Sequence, residues 1–221
     1  MSNVGLNMGF VSDTDVSFKT TCVALLDEAY GSVLQAQIVN CEWTENAISE
    51  TIVKCMNANP YATKKHITAI TEKRLLPEDI SQMPSTVDDA WRIDIVIGGF
   101  GWIEDEVRVA CHLEAKNLYA KDFKKAANMS VTSSTAYAKR YITTGIDHII
   151  HEHYPADTLL LGYVLIGSVH DSVSIINAQL NAISRGAETI TLSHNSNFPN
   201  LVFGLSNHSN GQNIEHYYLA F

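Results

Sequence analysis

Between residues 91 and 120 the chain reads WRIDIVIGGFGWIEDEVRVACHLEAKNLYA. Residues 91–97 are rich in Ile and Val. From 106 to 116 polar and apolar positions alternate: Glu106, Arg108, Ala110, His112, Glu114 and Lys116 against Val107, Val109, Cys111, Leu113 and Ala115. A period of two predicts a β-hairpin with one polar face, and GGFG at 98–101 supplies its turn. No helix follows those glycines, so they are a turn and not a phosphate-cradling loop.

The rest of the pattern surrounds this hairpin with helices and strands. Ile48, Ile52 and Met56 recur at helical spacing within 42–57, and Asn59 and Pro60 stop that helix. Residues 66–75 are compatible with a strand. Two prolines and four acidic residues without periodicity make 77–90 a loop. Residues 122–150 read as helical in two parts, with Tyr137, Tyr141, Ile142, Ile146 and Ile149 on one side. The apolar run at 159–168 predicts a fully buried strand, followed by a helix from about 171 to 185. Tyr217, Tyr218 and Phe221 predict a closing strand. The expected class is α/β, a central mixed sheet flanked by helices.

Composition narrows the picture. A chain of 221 residues with 46% hydrophobic content is long enough for one domain with a full core. It has no apolar stretch of membrane-spanning length and no signal-peptide pattern at its start, so the expected location is the cytoplasm, away from membranes. Cys22, Cys41, Cys55 and Cys111 show no C-x-x-C pairing, which leaves free thiols as the expectation. A formal net charge of −9 argues against indiscriminate attraction to polyanions.

The costly residues of the hairpin are Asp94, Glu114 and Lys116, set among Ile, Val, Leu and Ala. If the hairpin folds near residue 103, Asp94 lies opposite His112, and Glu114 is its diagonal neighbour on the same face, about 7–8 Å away. Lys116 follows on that face about 7 Å further along. Two carboxylates and a lysine suit Mg²⁺, with Mn²⁺ as a substitute, because Mg²⁺ takes one or two carboxylates, keeps waters and binds phosphate oxygens. The implied reaction is metal-assisted phosphodiester hydrolysis.

Asp94 at a strand start, followed by Glu114-Ala115-Lys116 on the next strand, resembles the PD-(D/E)XK nucleases, which share the restriction-endonuclease-like fold. WRID stands where that motif has its leading proline. The resemblance covers roughly 42–185, within a single domain of 1–221. It implies that Asp94 and Glu114 hold the metal and that Lys116 orients water and stabilises charge. The superfamily often adds a glutamate from the preceding helix. Glu45 shares the apolar face of Ile48 and Ile52 and is the candidate third ligand, whereas Glu50 points to solvent. The alternative for Glu45 is a first-turn charge favoured by the helix dipole. The stretch KRYITTGIDHIIHEHYP…LLLGYVLIG is also similar to bacterial nuclease-like proteins associated with defence against phage.

Other groups complete the expectations. His112 lies on the proposed catalytic face as a supporting, hydrogen-bonded histidine. Lys121, Lys124, Lys125, Lys139 and Arg140 are candidates for holding backbone phosphates, with a solvated helix face as the alternative. His148, His151 and His153, with Asp147 and Glu152, offer a rival transition-metal hydrolase site, and a catalytically inactive nuclease fold is a second rival. The acidic balance implies delivery to nucleic acid, DNA in preference to RNA, by a protein partner or by self-association. An effector subunit of a larger defence assembly, with an ATPase or sensor, fits that requirement.

Overall fold

The computed structural model describes residues 8–75, 92–99, 109–126, 129–155 and 157–221, with the side chains of 8–17 and of Val109 left out of account. The expected loop at 77–90 and positions 100–108 of the hairpin lie outside the described residues.

Helix α1 (Met8–Ala36) leads to α2 (Glu45–Ala58) and the short α3 (Pro60–Lys64). The ends of α2 follow from side chains. Thr44 Oγ1 accepts the Ala47 N–H at 3.2 Å, and Asn59, extended after Ala58, accepts the Tyr61 N–H at 2.8 Å to start α3, with Pro60 in its first turn. Strands β1 (Ile67–Arg74), β2 (Arg92–Gly99) and β3 (Val109–Tyr119) form an antiparallel meander. A two-stranded ribbon, β4 (Phe123–Lys124) and β5 (Val131–Thr132), precedes α4 (Ser134–Arg140), a π-helical segment (Tyr141–Ile146) and α5 (Asp147–Ile150). Then come β6 (Leu159–Ile166), α6 (Val169–Ala182), β7 (Thr191–His194), β8 (Val202–Asn207) and β9 (Asn213–Ala220).

Seven strands form one mixed sheet in the order β1-β2-β3-β6-β9-β8-β7. β3, β6 and β9 run parallel in its middle, which explains the apolar run of β6: Leu159, Leu161 and Tyr163 face one core, and Leu160 and Val164 face the other. α1 and α2 fill the first face through residues such as Leu26, Ile48 and Ile52. The π-helical segment, α5 and α6 fill the second through Tyr141, Ile146, Ile149 and Ile176. Gly162 sits where these layers pack closely, because a Cβ there would fall 2.5 Å from the Tyr218 ring and 2.8 Å from Leu118.

β2 continues through Gly98 and Gly99, paired to Ala110 and Val109, so the turn does not begin at 98. Residues 111–119 of β3 are all buried. Phe123–Lys124 and Val131–Thr132 pair as the ribbon in place of a helix, which moves Lys124 and Lys125 off the helix that carries Lys139 and Arg140. The last strand lies inside the sheet, between β6 and β8, and not at its border.

Candidate active site

Position 94 falls level with Glu114. The β2–β3 ladder pairs Ile95 with Leu113 and Val96 with His112, two places from the expected register. The ladder begins at Ile95, and Asp94 extends the connection with its side chain: Oδ2 accepts the Ala115 N–H at 2.7 Å. Asp94 is thereby anchored to the strand that carries Glu114 and Lys116.

Lys116 folds back onto this pair. Its Nζ donates to Glu114 Oε1 and, at 3.0 Å, to the Ala115 carbonyl, and it stands 4.0 Å from Asp94 Oδ2. Glu114 and Lys116 are 3% and 5% exposed, whereas the Asp94 side chain keeps 20% of its surface, so the cluster opens toward solvent at Asp94. Glu114 Oε2 is buried and accepts no hydrogen bond among the described residues. Burial pushes the Glu114 carboxyl up to about 8 against the lowering influence of Lys116, and the Asp94 charge adds to the rise. Burial raises Asp94 as well, opposed by Lys116 and by the Ala115 N–H.

One ammonium therefore answers two acids in a poorly solvated place. The donor set fits a hard divalent cation: Glu114 offers an oxygen with no partner, and Asp94 offers a partly exposed carboxylate. Among the described residues, no group of three or more His, Cys, Asp or Glu converges as a metal site. The fit is that of a two-carboxylate site.

Glu45 does not join it. Its Oε1 accepts the Asn117 N–H at 3.0 Å and its Oε2 accepts from Arg140 Nη2 at 3.0 Å. The reason lies in the sheet. α2 packs its Ile48, Ile52 and Met56 with Ala115 and Tyr119, the odd-numbered face of β3, while Glu114 and Lys116 share the even-numbered face with Leu118 in the opposite core. Glu45 does face inward from α2, as its spacing predicts, but toward the wrong side of the sheet. Glu50 is exposed. His112 is buried on the Glu114 side of β3.

The histidine group borders the carboxylate pair. Glu152 takes a left-handed backbone conformation (φ 58°), and the turn after α5 brings His153 to His148, with ring centres 5.0 Å apart. His148 Nδ1 lies 3.3 Å from the Tyr154 hydroxyl, and Tyr154 in turn contributes to the electrostatics of Glu114. Burial, His153 and the Lys116 ammonium hold His148 down to about 4, so it is neutral near pH 7. Two centres that look separate in sequence meet through Tyr154. Lys121, Lys124, Lys139 and Arg140 are exposed, and Lys125 is half-buried.

A second polar network was not legible in the sequence. Glu188 Oε2 meets His208 Nδ1 at 2.7 Å, His208 Nε2 meets Ser206 Oγ at 2.8 Å, Ser206 meets His216 Nε2 at 2.8 Å, and His216 Nδ1 meets the Tyr141 hydroxyl at 2.9 Å. One set of protons satisfies every link if each group donates toward Glu188: Tyr141 to His216, His216 to Ser206, Ser206 to His208. Arg185 connects Glu188 to Asp147 through bonds of 2.7 and 2.6 Å, so the chain leaves the helix at Tyr141 and returns to it at Asp147, bracketing the π-helical segment. Glu188–His208–Ser206 has the spacing of a nucleophilic triad, but Ser206 is fully enclosed and bonded to a second histidine. The arrangement holds structure.

No protein-family model, curated protein or solved structure matches this chain. No helix among the described residues is long and apolar enough to cross a membrane.

Proposed function

We propose that the chain is a metal-dependent nuclease of the restriction-endonuclease-like type, hydrolysing phosphodiester bonds in DNA in preference to RNA. The observation that carries this reading is the largely buried Asp94–Glu114–Lys116 cluster, in which Glu114 Oε2 meets no donor in hydrogen-bond geometry among the described residues and a single ammonium serves two acids. A purely structural ion pair would be expected to satisfy its buried oxygens.

Asp94 and Glu114 are the residues that would hold Mg²⁺ or Mn²⁺. When bound, the ion supplies positive charge against the charge developing on the phosphoryl oxygens and the leaving group. Asp94 stays in place because the Ala115 N–H holds it. Lys116, released from Glu114, donates to the attacking water or a phosphoryl oxygen and stabilises negative charge there. The Tyr154 hydroxyl, 3.3 Å from His148 Nδ1, acts electrostatically on Glu114. Lys121, Lys124, Lys139 and Arg140 supply exposed positive charge for backbone phosphates. With a net charge of −9, the chain works as an effector delivered by a protein partner or by self-association, for which a defence assembly is the proposed setting.

The enclosure of Glu114 and Lys116 favours one competing reading, a binding module whose buried ion pair is structural. Incubation of plasmid, single-stranded DNA and RNA with Mg²⁺, Mn²⁺ or EDTA, with and without candidate partners, separates the two. Metal-dependent cleavage supports the nuclease. Metal binding without turnover on any substrate supports the module.

A further inference from the structure

A cleft of about 310 Å³ opens on the opposite side of β3 from the carboxylate pair, between the start of α2, the ribbon and α4. Its wall includes Trp43, Tyr119 and Tyr137, and its cations are Lys125 and Arg140. Tyr119 is buried and held edge-on by Tyr137, with ring centres 4.7 Å apart, so the aromatic wall is rigid before anything binds. Trp43 and Tyr137 keep part of their surface exposed.

The cleft holds two cations against two acids. The two acids of the cleft are already engaged: Glu42 accepts the Ala126 N–H, and Glu45 accepts from Asn117 N–H and Arg140. Arg140 gives Glu45 a single nitrogen, Nη2, and its side chain is 51% exposed. The first turn of α2 lies at the same wall, where the positive end of the helix dipole adds to Lys125 and Arg140. Asn117, which also lines the cleft, is 4% exposed, and its buried Oδ1 accepts no hydrogen bond among the described residues.

We infer that this cleft is a nucleotide-binding site, with a base against the Trp43–Tyr137 wall and its phosphate on Arg140 and Lys125. Flat aromatic surface with adjacent cations is the recognition chemistry of an unpaired nucleotide, and the volume admits one nucleotide and not a duplex. The site needs neither metal nor turnover, although it shares Arg140, Lys121 and Lys124 with the substrate contacts of the proposed nuclease. Its ligand arrives as a free nucleotide or as an unpaired position of a strand, and Lys121 and Lys124, both exposed, favour the strand.

The test is binding to the full chain in EDTA, followed by tryptophan fluorescence. The probes are a nucleoside 5′-monophosphate, a short single-stranded oligonucleotide, the matching duplex and inorganic phosphate, with Trp43→Phe identifying the responding residue. Saturable quenching by the nucleotide or the single strand, lost in Trp43→Phe, is expected. Tyr137→Ala should weaken binding by about tenfold or more, Lys125→Gln should weaken it and reduce its salt dependence, and Asp94→Asn should leave it unchanged. Tighter binding of the oligonucleotide than of the nucleotide assigns the strand; equal affinity assigns the free nucleotide. No quenching, phosphate binding as well as the nucleotide, or wild-type binding by a folded Lys125→Gln variant would each overturn the inference. Cleavage that persists when binding here fails would leave the nuclease reading standing, and binding without cleavage would do the reverse.

Discussion

The Lys116 ammonium lies 4.0 Å from Asp94 Oδ2 while it is hydrogen-bonded to Glu114, so a single cation faces two carboxyl groups on neighbouring strands, one buried and one partly exposed. With Glu114 pushed up to about 8, the metal-free cluster retains a proton near neutral pH. Metal binding must expel that proton. Mg²⁺ or Mn²⁺ affinity should therefore rise with pH up to about 8, and calorimetry in buffers of different ionisation enthalpy should show proton release. A pH-independent affinity without proton release would contradict the assignment of Glu114 as ligand.

The same group links stability to pH. Its folded value, about 8, lies above its ordinary value of 4.5, so over that window the folded state keeps a proton that the unfolded state has lost. Metal-free wild-type protein should accordingly lose stability relative to Glu114→Gln as pH rises from about 5 to 8, and the difference should level off above that. Urea unfolding of both proteins in EDTA at several pH values measures it; parallel profiles would show that Glu114 ionises normally.

Glu45 gives a sharper contrast. Removing its carboxylate in Glu45→Ala frees the Asn117 N–H and Arg140, which should cost about 1–3 kcal/mol of stability. Metal affinity should stay at the wild-type level, because Glu45 faces the other side of the sheet. Metal titration alongside thermal unfolding checks both parts. A loss of metal affinity in a folded Glu45→Ala protein would restore it as a third ligand.

Ser206→Ala should destabilise the fold by about 1–3 kcal/mol, since it strips a partner from both His208 and His216 in a fully enclosed place. The native protein should resist fluorophosphonate labelling. Rapid labelling of Ser206 would instead make Glu188–His208–Ser206 a working triad.

What could be read from the sequence depended on how local the cause was. The shared face of Glu114 and Lys116 follows from the two-residue period of any strand, and the stop of α2 follows from Asn59, whereas its start at Glu45, capped by Thr44, lies three residues after the expected 42. The register was misjudged by two places because Gly98 and Gly99 stay in the ladder, each with partners on both neighbouring strands. Glu45 was assigned correctly to the inward side of α2 but to the wrong partner, since the sheet face that a helix covers is set by tertiary connections and not by its own pattern. β4 and β5, two residues each, are too short to show a period. The Glu188–His208–Ser206–His216–Tyr141 network joins residues up to 75 positions apart through pairings that only the assembled sheet creates.

The most direct test of the central claim is metal-dependent cleavage by Asp94→Ala, Glu114→Ala, Lys116→Ala and the double variant Asp94→Ala/Lys116→Ala, with metal titration and thermal unfolding of each. Lys116→Ala should bind metal but turn over about 10²–10³-fold more slowly, and the two carboxylate variants should lose both metal affinity and turnover. The double variant should lose little beyond the worse single change, because groups acting as one unit are not additive. Wild-type cleavage rates in folded Glu114→Ala and Lys116→Ala proteins would contradict the account.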